Sequence, residues 1–339
     1  MRVPLGAGLI AVAVVALGGL TSLSARANDS TAELATGGLA YVMTDAVEMR
    51  SEDLFISMQA VRVRYEFVNT ADHDVTTLVA FPMPDIKGDV DFMVAVPLDD
   101  PENFLGFKTT VDGKPVDAKV QQRISALDVD QTALLQSLGV PLAPQAEATR
   151  AALDRLPRGA WDKLIGLGLA GIDEFDAGQG WEKHLTPLWS LSTAYYWQQT
   201  FPAGQTVVVE HSYTPSVGAS AGVSFGEPAS RTEPWFRDYR SKYCLDEDFM
   251  RAVDNSRTAD GNLTYQEKRI DYILKTASNW EGSIAKFHVA IDKGSPKNLV
   301  SFCGEDVKKT GPTRFEMTKM DFSPEDDLAI LILTPVSGE

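Results

Sequence analysis

A regular alternation of apolar and charged side chains from residue 61 to residue 67 constrains the fold of this chain more than any other feature. Four apolar and three charged residues take turns, in the order Val61, Arg62, Val63, Arg64, Tyr65, Glu66 and Phe67. Successive side chains of a β-strand point to opposite faces, so this pattern predicts a strand with one buried face and one exposed face. The core of the chain is therefore expected to be built on β-sheets.

Neighbouring segments predict partners for this strand. A polar turn at residues 69–74 separates it from a β-rich stretch at residues 75–81, which is expected to return beside it. A second hairpin is expected at residues 107–124, turning at Asp112-Gly113. Two antiparallel hairpins predict a β-sandwich.

Helical spacing replaces this alternation in the middle of the chain. Three helices are predicted, at residues 130–138, 145–156 and 161–169. They form a helical insertion of about residues 127–180 in the first β-rich unit. Strands are expected again at residues 191–200 and 205–213, joined by a turn at residues 201–204.

The last third of the chain predicts a second β-rich unit. Residues 214–233 are rich in Gly, Ser, Pro and Ala and predict a loop or linker, and a short helix is expected at residues 244–253. Five strands follow, at residues 270–275, 284–291, 299–303, 314–319 and 328–333. The last of them is continuously apolar, so it is expected to be a central strand buried on both faces.

These patterns predict a mainly β (α+β) fold with two β-sandwich-like units. The first unit spans residues 28–225 and carries the helical insertion, and the second spans residues 226–339. Residues 1–27 are expected to precede both units as a separate targeting segment.

This first segment has the three parts of a secretory signal peptide. Arg2 is followed by an uncharged apolar run at residues 3–20, and Ala-Arg-Ala at residues 25–27 offers a cleavage site. An uncleaved membrane anchor is the alternative, although Pro4 and several glycines make the run a poor permanent helix. The chain is therefore expected to be periplasmic or secreted, with no membrane span after cleavage.

Charge and cysteine content bear on partners and compartment. Asp and Glu number 47 against 31 Lys and Arg, a net charge of −16, which argues against nucleic acid as a partner. Cys244 and Cys303 are the only cysteines, and in an oxidising compartment they are expected to form one structural disulfide. Two separate buried thiols are the alternative.

Aromatic side chains of one predicted strand supply a candidate binding surface. If Tyr195 and Trp197 share one face of this strand, Tyr196 takes the other. One face has to lie in the core, and the other is available to stack against a sugar or a protein partner. We expect Trp189, Tyr195 and Trp197 at this surface, together with the loop at residues 214–233.

No catalytic, cofactor-binding or metal-binding residue is predicted. The sequence lacks a phosphate-binding loop and a dinucleotide glycine pattern, and its four histidines lack zinc spacing. Gly-Ala-Ser-Ala-Gly at residues 218–222 lacks the strand–turn–helix context of a nucleophile elbow. Residues 256–267 are a near miss to a calcium loop, which leaves a calcium-stabilised module using Asp260 and Glu267 as one hypothesis.

Several motifs together resemble a known family of exported bacterial proteins. They are Arg64-Tyr-Glu-Phe-Val-Asn69, Ala80-Phe-Pro-Met-Pro84, Trp197-Gln-Gln-Thr-Phe-Pro-Ala203, His211-Ser-Tyr-Thr-Pro215, Asp271-Tyr-Ile-Leu274, Asn279-Trp280, Phe287, Val289, Asp292-Lys-Gly294 and Leu299-Val-Ser-Phe-Cys303. Over most of its length the chain resembles the domain of unknown function 4424. The resemblance implies an exported bacterial protein and a shared framework that includes Cys303, and it supplies no catalytic residues.

The leading expectation is thus a non-enzymatic binding or interaction module of the bacterial envelope. Its partner would be an envelope protein or a glycan. The alternative is a carboxylate-dependent enzyme acting on envelope glycan, since acidic runs at residues 173–176, 246–248 and 325–327 could supply paired carboxylates.

Overall fold

The computed structural model describes residues 29–35, 38–88, 93–98, 100, 102–176 and 180–336. The predicted signal peptide lies outside these residues. The strands of the described part are β1 Ser30–Ala35, β2 Gly38–Tyr41, β3 Val47–Ser57, β4 Val61–Asn69, β5 Val75–Pro82, β6 Ile86–Lys87, β7 Met93–Ala95, β8 Lys108–Val111, β9 Lys114–Val116, β10 Lys119–Ala126, β11 Val129–Asp130, β12 Ala170–Asp176, β13 Trp181–Pro187, β14 Ser190–Phe201, β15 Thr206–Tyr213, β16 Val217–Ser220, β17 Tyr265–Tyr272, β18 Ile284–Asp292, β19 Leu299–Phe302, β20 Lys308–Lys309, β21 Arg314–Phe322 and β22 Leu328–Pro335. The helices are α1 Thr132–Ser137, α2 Glu147–Asp154, α3 Arg158–Gly166, α4 Pro234–Tyr243 and α5 Glu247–Asn255.

Most of these strands belong to three sheets. Sheet I has seven strands in the order β11-β10-β14-β5-β1-β2, with β6 paired to β14 beside this path. Sheet II has eight strands in the order β20-β21-β18-β3-β4-β15-β8-β9, and sheet III has five in the order β19-β22-β17-β16-β7. Strands β12 and β13 pair as a separate two-stranded arm. The expected mainly β fold is confirmed.

Sheets I and II pack against each other around an aromatic core. The ring of Phe67 on β4 lies 5.9 Å from that of Phe201 on β14. The His211 ring on β15 lies 4.7 Å from Phe81 on β5 and 5.5 Å from Trp197 on β14. The inward face of the alternating strand at residues 61–67 therefore lies between two sheets, as its period predicts.

A buried carboxyl–imidazole pair crosses this core at the start of β1. Oδ1 of Asp29 lies 3.0 Å from Nε2 of His211, and both side chains are fully buried. The indole nitrogen of Trp280 donates to the Asp29 carbonyl oxygen at 2.6 Å. Burial raises the pKa of the Asp29 carboxyl, against the charge and hydrogen bond of His211, which lower it. The first described residues of the chain are thus anchored inside the molecule.

Strand β22 is buried on both faces, as its continuous apolar run predicts. Ile330 and Ile332 point into the main core, whereas Leu331 and Leu333 point into a second, smaller core beneath α4 and α5. All four residues are completely buried. Its hydrogen-bond partners are β17 on one side and β19 on the other.

Neither hairpin predicted in the first third of the chain forms as expected. The segment after β4 leads to β5, which pairs with β14 and β1 and not with β4. The hairpin expected across residues 69–74 is therefore wrong, because the chain passes from sheet II to sheet I there. The second hairpin is shorter than expected: β8 and β9 pair, and the chain then crosses to sheet I at β10.

The helical insertion contains the three expected helices, α1 to α3, and also the unpredicted strand β12. Residues 214–233, expected to be a loop, include strand β16 in sheet III. Helix α4 follows them and has Pro234 in its first turn. Cys244, directly after its last residue Tyr243, adopts a left-handed conformation. Among the described residues, no helix has the length and apolar character needed to cross a membrane.

The division of the chain between residues 225 and 226 stays a prediction. Sheet II crosses it, because β18 from the second half pairs in parallel with β3 from the first half. Sheet III crosses it as well, through the pairing of β16 with β17. Residues from both halves also share the main core.

The two cysteines form the expected disulfide. The bond joins Cys244, just after α4, to Cys303, just after β19, across a sequence separation of 59 residues. It lies beside the smaller core, which α4 and α5 build over β22.

We expect the double variant Cys244→Ser, Cys303→Ser to lose about 2–4 kcal/mol of unfolding free energy, because the open chain regains conformational freedom. Urea unfolding measures the loss. A reductant should produce the same loss in the wild type and none in the double variant. An unchanged wild-type midpoint under reductant would contradict this role.

Candidate binding groove on sheet I

The aromatic residues predicted to form a binding surface lie in the core. Trp189, Tyr195 and Trp197 are only 0%, 2% and 4% exposed. Tyr195 stacks on Phe107 with ring centroids 4.2 Å apart, and the indole nitrogen of Trp189 donates to the Leu142 carbonyl oxygen at 2.7 Å. The prediction that these side chains are exposed is therefore wrong. Tyr195 and Trp197 lie on the face of β14 turned towards sheet II, and Trp189, just before β14, packs against the helical insertion.

The opposite face of β14 carries the half-buried Ser190 and Ser192 and is turned away from sheet II. Ser190, Ser192 and Ala194 occupy it, and these residues stand opposite Ser125, Arg123 and Gln121 of β10. Residues directly opposite each other in an antiparallel pair point to the same face. The two strands therefore present one continuous strip of serine, arginine and glutamine side chains.

A break in the neighbouring strand adds a carboxylate to this strip. Strand β5 ends at Pro82, β6 begins at Ile86, and both pair with β14. Asp85 lies in the interruption, where its carboxylate accepts hydrogen bonds from Ser192 at 2.6 Å and Ser190 at 3.5 Å. The serines thereby hold Asp85 over the outer face of the sheet.

The hairpin of β1 and β2 forms the opposite wall. Strand β2 is the far edge of sheet I, yet the Leu39 amide donates to Oε1 of Gln121 on β10 at 3.1 Å. The hairpin therefore curls back over the outer face of the sheet. Tyr41, Asp85, Ser192 and other residues enclose a hollow of about 450 Å³, called here the first hollow.

A second hollow adjoins the first. It has a volume of about 490 Å³ and is lined by residues of β10, β11 and α1. Gln121, Arg123 and Asp130 line both hollows. Arg123 donates to one oxygen of Asp130 through Nε at 2.9 Å and through Nη2 at 2.5 Å, so this ion pair stands between the hollows. The two hollows together are called the groove below.

The carboxyl groups of the groove differ in their electrostatics. Part of Asp85 remains exposed, but the loss of water around its carboxyl raises its pKa, against the hydrogen bonds from the serines and the charge of Lys87. Desolvation also raises the pKa of Asp130, but hydrogen bonds from Thr132 and Arg123 and the arginine charge outweigh it, so the pKa falls. Burial and the nearby Asp85 carboxylate raise the pKa of Tyr41, which keeps its proton.

The structure gives other sequence-predicted residues structural contacts. Glu267 is fully buried on β17 and accepts hydrogen bonds from the Ser224 amide at 2.6 Å and the Tyr239 hydroxyl at 2.9 Å. Its oxygens are therefore already engaged, which weakens the calcium-loop hypothesis. Asp246, in one acidic run, caps α5 by accepting from the Phe249 amide.

The residues of the groove were not singled out from the sequence. The available signal was the polar alternation of Gln121, Arg123 and Ser125 along β10, which marks an exposed strand face. Nothing local connects this strand with Tyr41 or Asp85, which lie far away in the sequence. Tyr41 approaches it through the curl of the β1–β2 hairpin, and Asp85 through the pairing of β5 and β6 with β14.

The fold and groove define a β-rich protein of several sheets with a polar surface cleft. The family model of the domain of unknown function (DUF4424) matches residues 27–331. The chain belongs to this family, which confirms the resemblance seen in its sequence motifs.

Other comparisons give little further information. No curated protein matches the chain. The chain is similar to the crystal structure of a candidate nutrient-binding protein from Legionella pneumophila, at 16% identity and a TM-score of 0.46, covering 91% of this chain and 70% of that chain. A likeness at this level says nothing about the function of this chain.

Proposed function

We propose that the chain is an exported envelope protein that binds a small polar ligand in the groove without catalysing a reaction. The groove carries this proposal, because polar side chains from β2, β10 and β14 converge there on a hollow of about 450 Å³. Ligand sites are typically concave, with a few convergent polar groups that fix orientation. The signal-peptide pattern at residues 1–27 and the disulfide both support export.

The lining matches a ligand that both donates and accepts hydrogen bonds. Gln121 offers an amide, and Arg123 offers only donors. Asp85 and Asp128 offer acceptors when ionised, and both line the first hollow. Hydroxyl-bearing ligands complement such a mixed set.

A glycan-cleaving enzyme is the second candidate function. Asp85 and Asp130 line the same hollow, and their environments move their pKa values in opposite directions. Two carboxyl groups whose pKa values differ in this way can serve as an acid and a base in glycoside hydrolysis. Release of new reducing ends from envelope glycan, lost in Asp85→Asn, would favour this function over binding alone.

We expect Arg123→Ala to weaken ligand binding by about tenfold or more, which corresponds to about 1.4 kcal/mol. The chain from residue 28 to residue 339 would be screened by thermal shift against sugars, polyols, amines and amino acids. The strongest ligand would then be titrated calorimetrically. The variant removes a donor shared by both hollows. Because the Arg123 side chain is 42% exposed, its removal is expected to cost little stability.

Arg64→Ala is the matched control. Arg64 forms a similar ion pair with Glu66 at 2.7 Å and is 43% exposed, but it lies on β4 of sheet II. It should bind like the wild type. Equal affinities for the wild type and both variants would place the ligand elsewhere and contradict the proposal.

A further inference from the structure

The groove is divided into two adjoining compartments of similar size. Their volumes are about 450 Å³ and 490 Å³. Each lies within the roughly 300–1,000 Å³ of small-molecule sites. Gln121, Arg123 and Asp130 are common to both, so a ligand that leaves one compartment along β10 enters the other. This arrangement suits a ligand built of at least two connected units.

The two compartments differ in charge. The first hollow contains Asp85 and Asp128 in addition to the shared Arg123–Asp130 pair. The second hollow adds no charged side chain to that pair, and its lining includes Gln131, Thr132 and Gln136. The described lining of the first hollow holds three carboxylates against one cation, Arg123, so it repels an anionic ligand, and the net charge of −16 adds to this repulsion.

The side chains of the second hollow indicate which chemical groups the second unit of the ligand carries. A glutamine amide donates through its nitrogen and accepts through its oxygen, and a threonine hydroxyl does both through one atom. Sugar hydroxyl and acetamido groups have the same dual capacity. Among the described residues that line this hollow, Ala133 and Leu134 alone have apolar side chains, which leaves few contacts for the side chains of a peptide.

We infer that the groove binds a neutral oligosaccharide, with one sugar unit in the first hollow and the next unit in the second. The Arg123–Asp130 pair lies beneath the linkage between them. This inference rests on the proposed binding function and specifies its ligand class. Gln136 is one of the side chains that would contact the second unit, because it lines the second hollow and not the first.

Calorimetric titration of the chain from residue 28 to residue 339 tests this inference. The probes are maltotriose, cellotriose and triacetylchitotriose, their monomers glucose and N-acetylglucosamine, and trigalacturonate as an anionic trimer. We expect one neutral trimer to bind about tenfold or more tightly than its monomer, and trigalacturonate to bind more weakly. Gln136→Ala should remove the gain from chain length without changing monomer affinity.

Gln198→Ala is the matched control, because Gln198 is an exposed glutamine on β14 outside both hollows. It should keep the gain. Equal binding of monomer and trimer, or preferred binding of trigalacturonate, would overturn the inference. The inference would also be overturned if only a non-sugar ligand of the screen bound. If that binding depended on Arg123, the proposed function would still hold. Co-sedimentation with insoluble cell-wall glycan would show that the natural ligand is a glycan attached to the cell wall. Its absence would indicate a free oligosaccharide.

Discussion

Trp189→Ala is expected to lower the free energy of unfolding by about 3–5 kcal/mol, as truncation of a buried aromatic residue does. The Trp189 side chain is completely buried, and its indole nitrogen donates to the Leu142 carbonyl oxygen at 2.7 Å. Alanine would leave a cavity between β14 and the helical insertion and would remove the hydrogen bond to the half-buried Leu142. Urea unfolding monitored by circular dichroism measures the change.

Trp181→Ala is the matched control for this variant. Trp181 lies on the two-stranded arm and is 78% exposed. Its replacement should change the unfolding free energy by less than about 0.5 kcal/mol. If Trp189→Ala lowered the unfolding free energy as little as Trp181→Ala does, the burial of Trp189 would be contradicted. Trp189 would then again be a candidate for the binding surface.

Asp29→Ala is expected to cost about 3 kcal/mol of unfolding free energy, because it leaves a buried imidazole without its hydrogen-bond partner. Asp29 and His211 are 3.0 Å apart, and neither side chain is exposed. Without the carboxylate, the buried imidazole loses its partner among Phe81, Phe107 and Trp197. Chemical denaturation of the variant measures the loss.

The chain contains a closely matched control for this pair. Asp72 and His73 are also 3.0 Å apart, but their side chains are 100% and 73% exposed. Asp72→Ala should leave the unfolding midpoint unchanged, because water and salt screen the exposed pair. If Asp29→Ala shifts the midpoint no more than Asp72→Ala does, the buried pair does not anchor the start of β1.

Local patterns predicted some of the strands and missed others, such as β3 and β12. A pattern succeeds where burial along one segment determines it. The alternation at residues 61–67 identified β4, and the apolar run at residues 328–333 identified a strand that faces two cores. The helical spacing of apolar residues within three segments likewise located α1 to α3. In each case the residues that carry the signal are neighbours in the sequence.

Strand pairing was harder to predict because it depends on distant segments. The turns after β4 and after β14 have ordinary turn composition, yet each carries the chain between sheets I and II. A polar turn is compatible with a hairpin and with such a crossing, since its local conformation does not specify which strand pairs next. The parallel pairing of β18 with β3 joins segments more than 200 residues apart.

The faces of β14 show most directly where sequence and tertiary structure divide. From the sequence alone, Tyr195 and Trp197 share one face and Tyr196 takes the other, because strand geometry has a period of two. Which face is buried depends on the side from which sheet II packs, and the structure buries Tyr195 and Trp197. The sequence by itself therefore determined the mainly β fold, the disulfide partners and the family. Only the tertiary structure decided the groove, because the curl of the β1–β2 hairpin brings Tyr41 to Arg123 on β10, and the pairing of β5 and β6 with β14 brings Asp85 there.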